Sequence, residues 1–418
     1  MLADRKRLLR LPTMPRHSTR PRGDAPSTPR RVNLALQGGG AHGAFAWGVL
    51  DWVLESGCID IEGLSGTSAG SMNAVVYAYG KYRGGADGAR SLLHEFWQAV
   101  SRSGDRHNPM RQWPWLAALV GSTPAFEWFK AVTHAFSPYQ LNPANLNPLR
   151  DILNGLVDFE ALHACRDTKL FLTATNVRTG KPRVFHNAEI TADAVMASAC
   201  LPQLFQAVEI DGVPYWDGGY MGNPSLYPLF YHADARDVVI LHINPIERDG
   251  TPRSAAEIFN RVNEISFNAS LIKELRAIAF VQKLRDEGAL KDEFARRYKN
   301  VLIHSIRADR ALADLSVETK FESDWGFLTM LRDRGRETAR RWFEENRRHL
   351  GVRSSVDLRS EFLTSGTELE SQLSGRAAAT GSGSEHSRTA PRGAGQTTPA
   401  RARKQATRGP SIKPRTRS

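Results

Sequence analysis

Cysteine is scarce in this sequence of 418 residues. The three cysteines, Cys58, Cys165 and Cys200, are widely spaced and odd in number, so no disulfide framework or cysteine-based metal site is indicated. Each has apolar or small neighbours, and we expect buried free thiols. No cluster of metal-ligand residues and no internal repeat is visible either. We therefore expect a protein that works without a metal or another cofactor.

Long apolar runs are also missing. No window approaches the roughly 20 uninterrupted apolar residues that a membrane-spanning helix needs. The N-terminal LLRLP is too short for a secretory signal and is interrupted by Arg10. These absences predict a cytoplasmic or peripheral membrane protein.

The basic charge lies at the two ends of the chain. Residues 1–31 contain nine Lys and Arg against two Asp and Glu, and residues 374–418 contain ten against one, although the whole chain carries only +12. Both ends lack apolar periodicity, and we expect them to be disordered. A solubilising role is the simplest interpretation, and an anionic membrane surface is the partner that the charge allows. Because neither end has aromatic residues between its basic residues, we do not expect either end to bind a specific nucleic acid.

The most informative motif is GTSAG, from Gly66 to Gly70. It follows a short apolar stretch and runs directly into a helical pattern, which makes Ser68 a candidate nucleophile at a strand-to-helix turn. Such a turn needs small neighbours, as Gly66, Ala69 and Gly70 are. It also places Ser68 at a helix N-terminus, where free N–H groups such as that of Ala69 can stabilise an oxyanion. A small-residue turn without catalysis is the alternative.

A glycine-rich turn, GGGAHG, lies upstream between a predicted strand and a predicted helix. Its bare N–H groups can hold a phosphate or an oxyanion. The spacing of Gly38, Gly40 and Gly43 also fits a dinucleotide-binding fingerprint, with Asp60 as the ribose-binding acid. Against that reading, the predicted strand continues past Asp60 into the Ser68 turn. Both interpretations of the glycine turn remain open from the residues alone.

A third motif, DGG, begins at Asp217. Two short strands joined by the Asp211-Gly212 turn precede it, so Asp217 lies near a strand end. Gly218 and Gly219 allow the backbone to bend and another element to approach closely. A carboxylate in that position can accept the Ser68 proton, whereas a surface Asp-Gly turn is the simpler alternative.

The order GGGAHG, GTSAG, DGG resembles that of the patatin-like phospholipases. The resemblance implies a three-layer α/β/α sandwich and a Ser-Asp dyad without histidine. Ser68 would then be the nucleophile and Asp217 the base, with Gly38, Gly39 and Gly40 forming the oxyanion loop. The sequence departs from the family pattern at one position, because His42 stands where the family often has Arg or Lys. The segments 267–287 and 353–363 resemble the C-terminal extension of a bacterial subgroup.

Alternating strand and helix patterns favour an α/β fold with a mainly parallel sheet and helices on both faces. Aromatic and proline residues are dense between residues 107 and 148, which indicates either a cap over a lipid site or an ordinary helical subdomain. The predicted organisation is a basic tail over 1–31, a catalytic domain over 32–245, a helical C-terminal extension over 246–373 and a second basic tail over 374–418.

The sequence therefore predicts a serine acyl hydrolase of lipid esters, of the phospholipase A or lysophospholipase type. Two other functions remain. A Ser-His-Asp esterase would use His304 as the base, since the order Ser, Asp, His is available. An oxidoreductase would use GGGAHG to bind the pyrophosphate of a dinucleotide.

Overall fold

The computed structural model describes residues 29–107, 136–248, 250–291, 293–294, 299–315 and 317–362. The chain divides into two units, Met1–Thr364 and Ser365–Ser418, and every described residue belongs to the first. The predicted tails, apart from residues 29–31, and the central part of the predicted cap lie outside the described residues.

A single sheet of eight strands is formed by the described residues, in the order β5-β6-β3-β2-β1-β7-β8, with β4 paired to β3. The five strands β3, β2, β1, β7 and β8 are parallel, and β4, β5 and β6 are antiparallel additions at one end. The strands are β1 (Arg30–Leu36), β2 (Ile59–Gly66), β3 (Lys169–Asn176), β4 (Pro182–His186), β5 (Val208–Ile210), β6 (Val213–Asp217), β7 (Asp237–His242) and β8 (Leu302–Arg307).

Helices connect these strands. They are α1 (Gly43–Ser56), α2 (Ala69–His107), α3 (Pro138–Leu141), α4 (Pro148–Leu156), α5 (Phe159–His163), α6 (Ala192–Ser198), α7 (Tyr227–His232), α8 (Ala255–Asp286), α9 (Trp325–Asn346) and α10 (Leu358–Phe362). Non-helical backbone at Gly84 and Gly85 divides α2. Short 3-10 turns cover Gly40–His42, Asn187–Glu189, Gly218–Tyr220, Val317–Phe321 and Arg347–His349.

The sheet separates two apolar cores. In β1, Leu34 and Leu36 enter one core and Ala35 the other, because successive side chains of a strand point to opposite faces. The larger core is completed by α1, α2, α6 and α9, and the smaller by α7, α8 and α10. The three-layer α/β/α sandwich with a mainly parallel sheet, predicted from the sequence, is therefore confirmed.

The region after residue 245 is built into the same sheet. Strand β8 pairs with β7 over six residues, from Asp237 with Leu302 to His242 with Arg307. Helix α9 packs so closely on α1 that a side chain at Gly48 would collide with the backbone of Arg332. The C-terminal region thus completes the sandwich that carries the site.

Two expectations concern burial. Cys165 and Cys200 are buried free thiols as predicted, but Cys58 is only half-buried because it lies just after the turn that ends α1. The expectation of a buried thiol is wrong there. Among the described residues, no helix has the length and apolar content to cross a membrane.

Candidate active site

Ser68 lies in a strained turn between β2 and α2. Its φ is 55°, in the left-handed region that a residue with a side chain rarely adopts, and the helix begins at the next residue. The turn is held by the N–H of Ser68, which donates to Ser198 Oγ at 3.0 Å and to Ser198 O at 3.2 Å. A Cβ at Gly66 would lie 2.6 Å from Gly70 O, so the two flanking glycines are required where the chain folds back.

Asp217 ends β6, which pairs with β3 along the same edge as β2, because β4 occupies the opposite edge. Ala174 pairs with Asp217, and Leu172 pairs with Gly66, two residues before Ser68. The register therefore places Ser68 and Asp217 at the same level of the sheet. Asp217 is 1% exposed, and its Oδ1 accepts a 2.7 Å hydrogen bond from the N–H of Gly219.

Burial raises the pKa of Asp217 to about 7. The hydrogen bond from Gly219 and the nearby hydroxyl of Ser68 act in the opposite direction, but burial is the larger effect. The second oxygen, Oδ2, is buried and has no partner at normal hydrogen-bond geometry among the described residues. One carboxylate oxygen is thus fixed, while the other can accept a proton.

Both glycines after Asp217 allow close packing. A Cβ at Gly218 would collide with Thr173 O and lie 3.1 Å from Thr67 Cγ2, beside Ser68 in the chain. A Cβ at Gly219 would lie 3.2 Å from the ring of Phe267 on α8. The close approach predicted for the DGG motif is therefore observed.

The glycine turn after β1 lies directly against Ser68. A Cβ at Gly38 would be 2.6 Å from Ser68 Cβ, and a Cβ at Gly43 would be 2.7 Å from Ala69 Cβ. The N–H of Gly38 donates to Asn223 Oδ1 at 2.7 Å, so this predicted oxyanion donor is already occupied. Gly39, Gly40 and Ala69 have N–H groups without an acceptor among the described residues.

A buried polar network supports the glycine turn from below. Gln37 Oε1 accepts from the N–H groups of Ile243 and Asn244 at 2.9 Å each, and Gln37 Nε2 donates to Asn223 O at 3.1 Å. Asn244 Nδ2 donates to Gly38 O at 2.7 Å. Sequence reasoning missed these residues. Polar residues just beyond the apolar strands β1 and β7 were the available signal.

The C-terminal region covers the other side of this turn. Gly40 has a φ of +59°, and a side chain there would collide with Lys320 O in the 3-10 turn Val317–Phe321. His42 Nε2 lies 2.7 Å from Thr319 Oγ1. Burial, together with the charges of Lys320 and Arg248, lowers the pKa of His42 to about 3, so His42 is neutral near pH 7. His42 does not supply a positive charge.

The rival residues lie away from Ser68. His304 is fully buried in β8, three strands from β2, or about 14 Å at normal strand spacing, and its Nε2 lies 2.9 Å from Asp237 Oδ1. Asp60 lies at the start of β2, at the edge of the sheet opposite the glycine turn, and pairs with Lys81 at 2.9 Å. These positions disfavour both a His304 triad and a ribose-binding Asp60. No group of three or more potential metal ligands occurs among the described residues.

The fold and the site define the class of protein: an α/β/α protein with a serine at a strand-to-helix elbow. Residues 34–230 match the model of the patatin-like phospholipase family, so the chain carries a patatin-like phospholipase domain. This match supports a lipid hydrolase function for the domain.

Two solved structures are similar over most of this chain. VipD from Legionella pneumophila has a TM-score of 0.38 and 14% identity, over 84% of this chain and 77% of that one. A chain of the complex of full-length SpcU with full-length ExoU, from the type III secretion system of Pseudomonas aeruginosa, has a TM-score of 0.31 and 17% identity, over 84% of this chain and 61% of that one. The present chain thus spans less than two thirds of the latter. None of the curated proteins compared with this sequence matches it.

Proposed function

We propose that the protein is a serine acyl hydrolase of lipid esters, of the phospholipase A or lysophospholipase type, with Ser68 and Asp217 as its catalytic dyad. The observation that carries the proposal is the serine held at a φ of 55° beside a buried carboxylate with one unpartnered oxygen. Backbone strain at a residue with a side chain is concentrated at functional sites, which supports this proposal.

The reaction begins with attack by Ser68 Oγ on the ester carbonyl carbon. The hydroxyl proton passes to Asp217 Oδ2, and the developing oxyanion is stabilised by free N–H groups of Gly39, Gly40 and Ala69. When the tetrahedral intermediate collapses, the carbon–oxygen bond to the alcohol breaks and Asp217 returns the proton to the alcohol oxygen. The products of this step are a free alcohol and an acyl-serine.

Water completes the cycle. It attacks the acyl carbon, gives one proton to Asp217 and forms a second tetrahedral intermediate. Collapse breaks the bond to Ser68 Oγ, which takes the proton back, and the fatty acid leaves. A raised pKa of about 7 makes Asp217 a better proton acceptor than an ordinary carboxylate and still leaves it largely ionised at slightly alkaline pH.

A fluorophosphonate probe tests the nucleophile without a chosen substrate. The full-length protein should be labelled on the peptide that contains Ser68, and it should hydrolyse a soluble short-chain ester. Ser68→Ala should abolish both, with an almost unchanged thermal midpoint. The matched control is Ser91→Ala, an exposed serine farther along α2. Labelling that persists in Ser68→Ala would exclude the proposed nucleophile.

A further inference from the structure

Lys320 belongs to the C-terminal region, yet it reaches the glycine turn of the site. Its Nζ donates to Asn244 Oδ1 at 2.8 Å, and Asn244 Nδ2 donates to Gly38 O at 2.7 Å. We propose that Lys320 is a positioning residue that activates the oxyanion loop: its charge, relayed by Asn244, polarises the peptide between Gly38 and Gly39. This inference rests on the proposed hydrolase function.

The relay has only one consistent direction. An ammonium group can only donate and a carbonyl oxygen can only accept, so the amide orientation of Asn244 is fixed by its two partners. A hydrogen bond to Gly38 O draws electron density toward that oxygen, and the N–H on the other side of the same peptide, that of Gly39, becomes a stronger donor. Gly39 is one of the free donors of the glycine turn, next in the chain to Gly38, which packs against Ser68.

The charge of Lys320 is not cancelled at close range. No carboxylate of the described residues lies within 4.0 Å of Nζ. The nearby acid, Glu264, is buried and already paired with Arg248 at 2.6 Å and Arg261 at 3.2 Å. A lysine that served only packing or stability would gain more from a carboxylate partner than from a neutral amide. The positive charge of Lys320 therefore acts on the glycine turn without a carboxylate beside it.

Removal of that charge should slow the reaction moderately. A unit charge about 10 Å from a developing oxyanion, at an effective dielectric constant near 20, changes the rate by roughly tenfold. This is less than the loss of about 10²-fold to 10³-fold for a direct oxyanion donor. Since the charge matters mainly in the transition state, kcat should fall while KM stays nearly constant.

The pH profile gives a second signature. Three charged or titratable groups face Lys320: Arg248 in the loop after β7, Glu264 on α8 and neutral His42. Burial lowers the pKa of Lys320 to about 8, with Arg248 acting in the same direction and Glu264 against it. The protonated lysine is the active form, so the rate should decline as the pH rises through about 8.

The test uses the full chain, a soluble short-chain ester and the fluorophosphonate probe, from pH 5 to 10. Lys320→Met should lower kcat about tenfold and lose the alkaline decline. Lys320→Arg should keep most of the activity, and its decline should move above the measured range because arginine does not titrate there. Lys81→Met, a half-buried lysine at the opposite edge of the sheet, is the matched control and should retain the wild-type rate and profile.

The outcomes separate this inference from the proposed function. Wild-type protein that neither labels at Ser68 nor hydrolyses the ester would refute the function itself. With labelling at Ser68 established, a wild-type kcat in Lys320→Met would overturn only the role of Lys320. If Lys320→Met does not fold, the arginine variant still decides the question, because an alkaline decline that it shares with the wild type contradicts the relay.

Discussion

Asp217 carries a stability cost that should be measurable. The carboxyl has a pKa of 3.8 when unfolded and about 7 in the folded protein, because burial disfavours its charged form. Between these two pH values only the folded state holds the proton, so the stability falls as the pH rises. At about 1.4 kcal/mol per pH unit, the wild type loses roughly 4 kcal/mol across the whole interval.

Asp217→Asn removes this titration with little change of shape. Urea unfolding of both proteins at pH 5, 6, 7 and 8 isolates the effect, since other groups titrate equally in both. The stability difference should shift by about 2.5 kcal/mol in favour of the variant between pH 5 and 8, while ester turnover falls at least about 10²-fold.

The matched control is Asp211→Asn, which removes a carboxylate from an exposed position of the same hairpin. The buried amide of the Asp217 variant gains a donor without an acceptor, which lowers its stability by a constant of about 1–3 kcal/mol and leaves the slope with pH unaffected. If the difference in stability between the wild type and Asp217→Asn is the same at all four pH values, the argument that burial raises the pKa of Asp217 in the folded protein is refuted.

Three further predictions follow from the same geometry. Gly39→Ala places a Cβ 2.6 Å from Ile243 Cγ2, so turnover should fall about 10²-fold. A second substitution in the same chain, Ile243→Ala, should restore part of the turnover. Normal turnover in Gly39→Ala alone would show that the glycine loop takes no part in the mechanism. His304→Ala removes the side-chain partner of Asp237, whose Oδ1 also accepts from the N–H of Gly351 at 2.7 Å, and should lower the stability by about 1–3 kcal/mol. The folded fraction should keep its activity, as urea unfolding and ester assays can determine. A chain of residues 29–373, which keeps the whole of β1, should keep its activity on a soluble ester but bind anionic vesicles more weakly than the full chain, and the difference should vanish with salt. Equal binding at low salt would contradict attachment of the tails to an anionic membrane surface.

Local patterns predicted the parts of the site that follow from the path of the backbone. Each of the three motifs needs glycine at particular positions. A side chain would collide with neighbouring backbone at Gly66, Gly70 and Gly218, and the sequence already indicated that these positions must be small. The alternation of strands and helices was sufficient for the three layers.

Other features depend on tertiary contacts that no local pattern contains. The occupied N–H of Gly38 depends on Asn223, 185 residues later in the chain, and the charge near the turn comes from Lys320 and not from His42. The half-buried state of Cys58 depends on where α1 ends. Sequence spacing indicates which residues share an element, but the pairing of distant elements decides which polar groups remain free.

The contact between Lys320 and Gly40 has a consequence for biosynthesis. A ribosome releases the three motifs of the site long before it releases β8, the 3-10 turn Val317–Phe321 and α9. Until those parts emerge, the glycine turn lacks its cover and α1 lacks its neighbour. A nascent chain that ends near residue 245 therefore contains Ser68 and Asp217 but not the complete site. Synthesis order thus leaves the site incomplete until nearly the whole sandwich has been made.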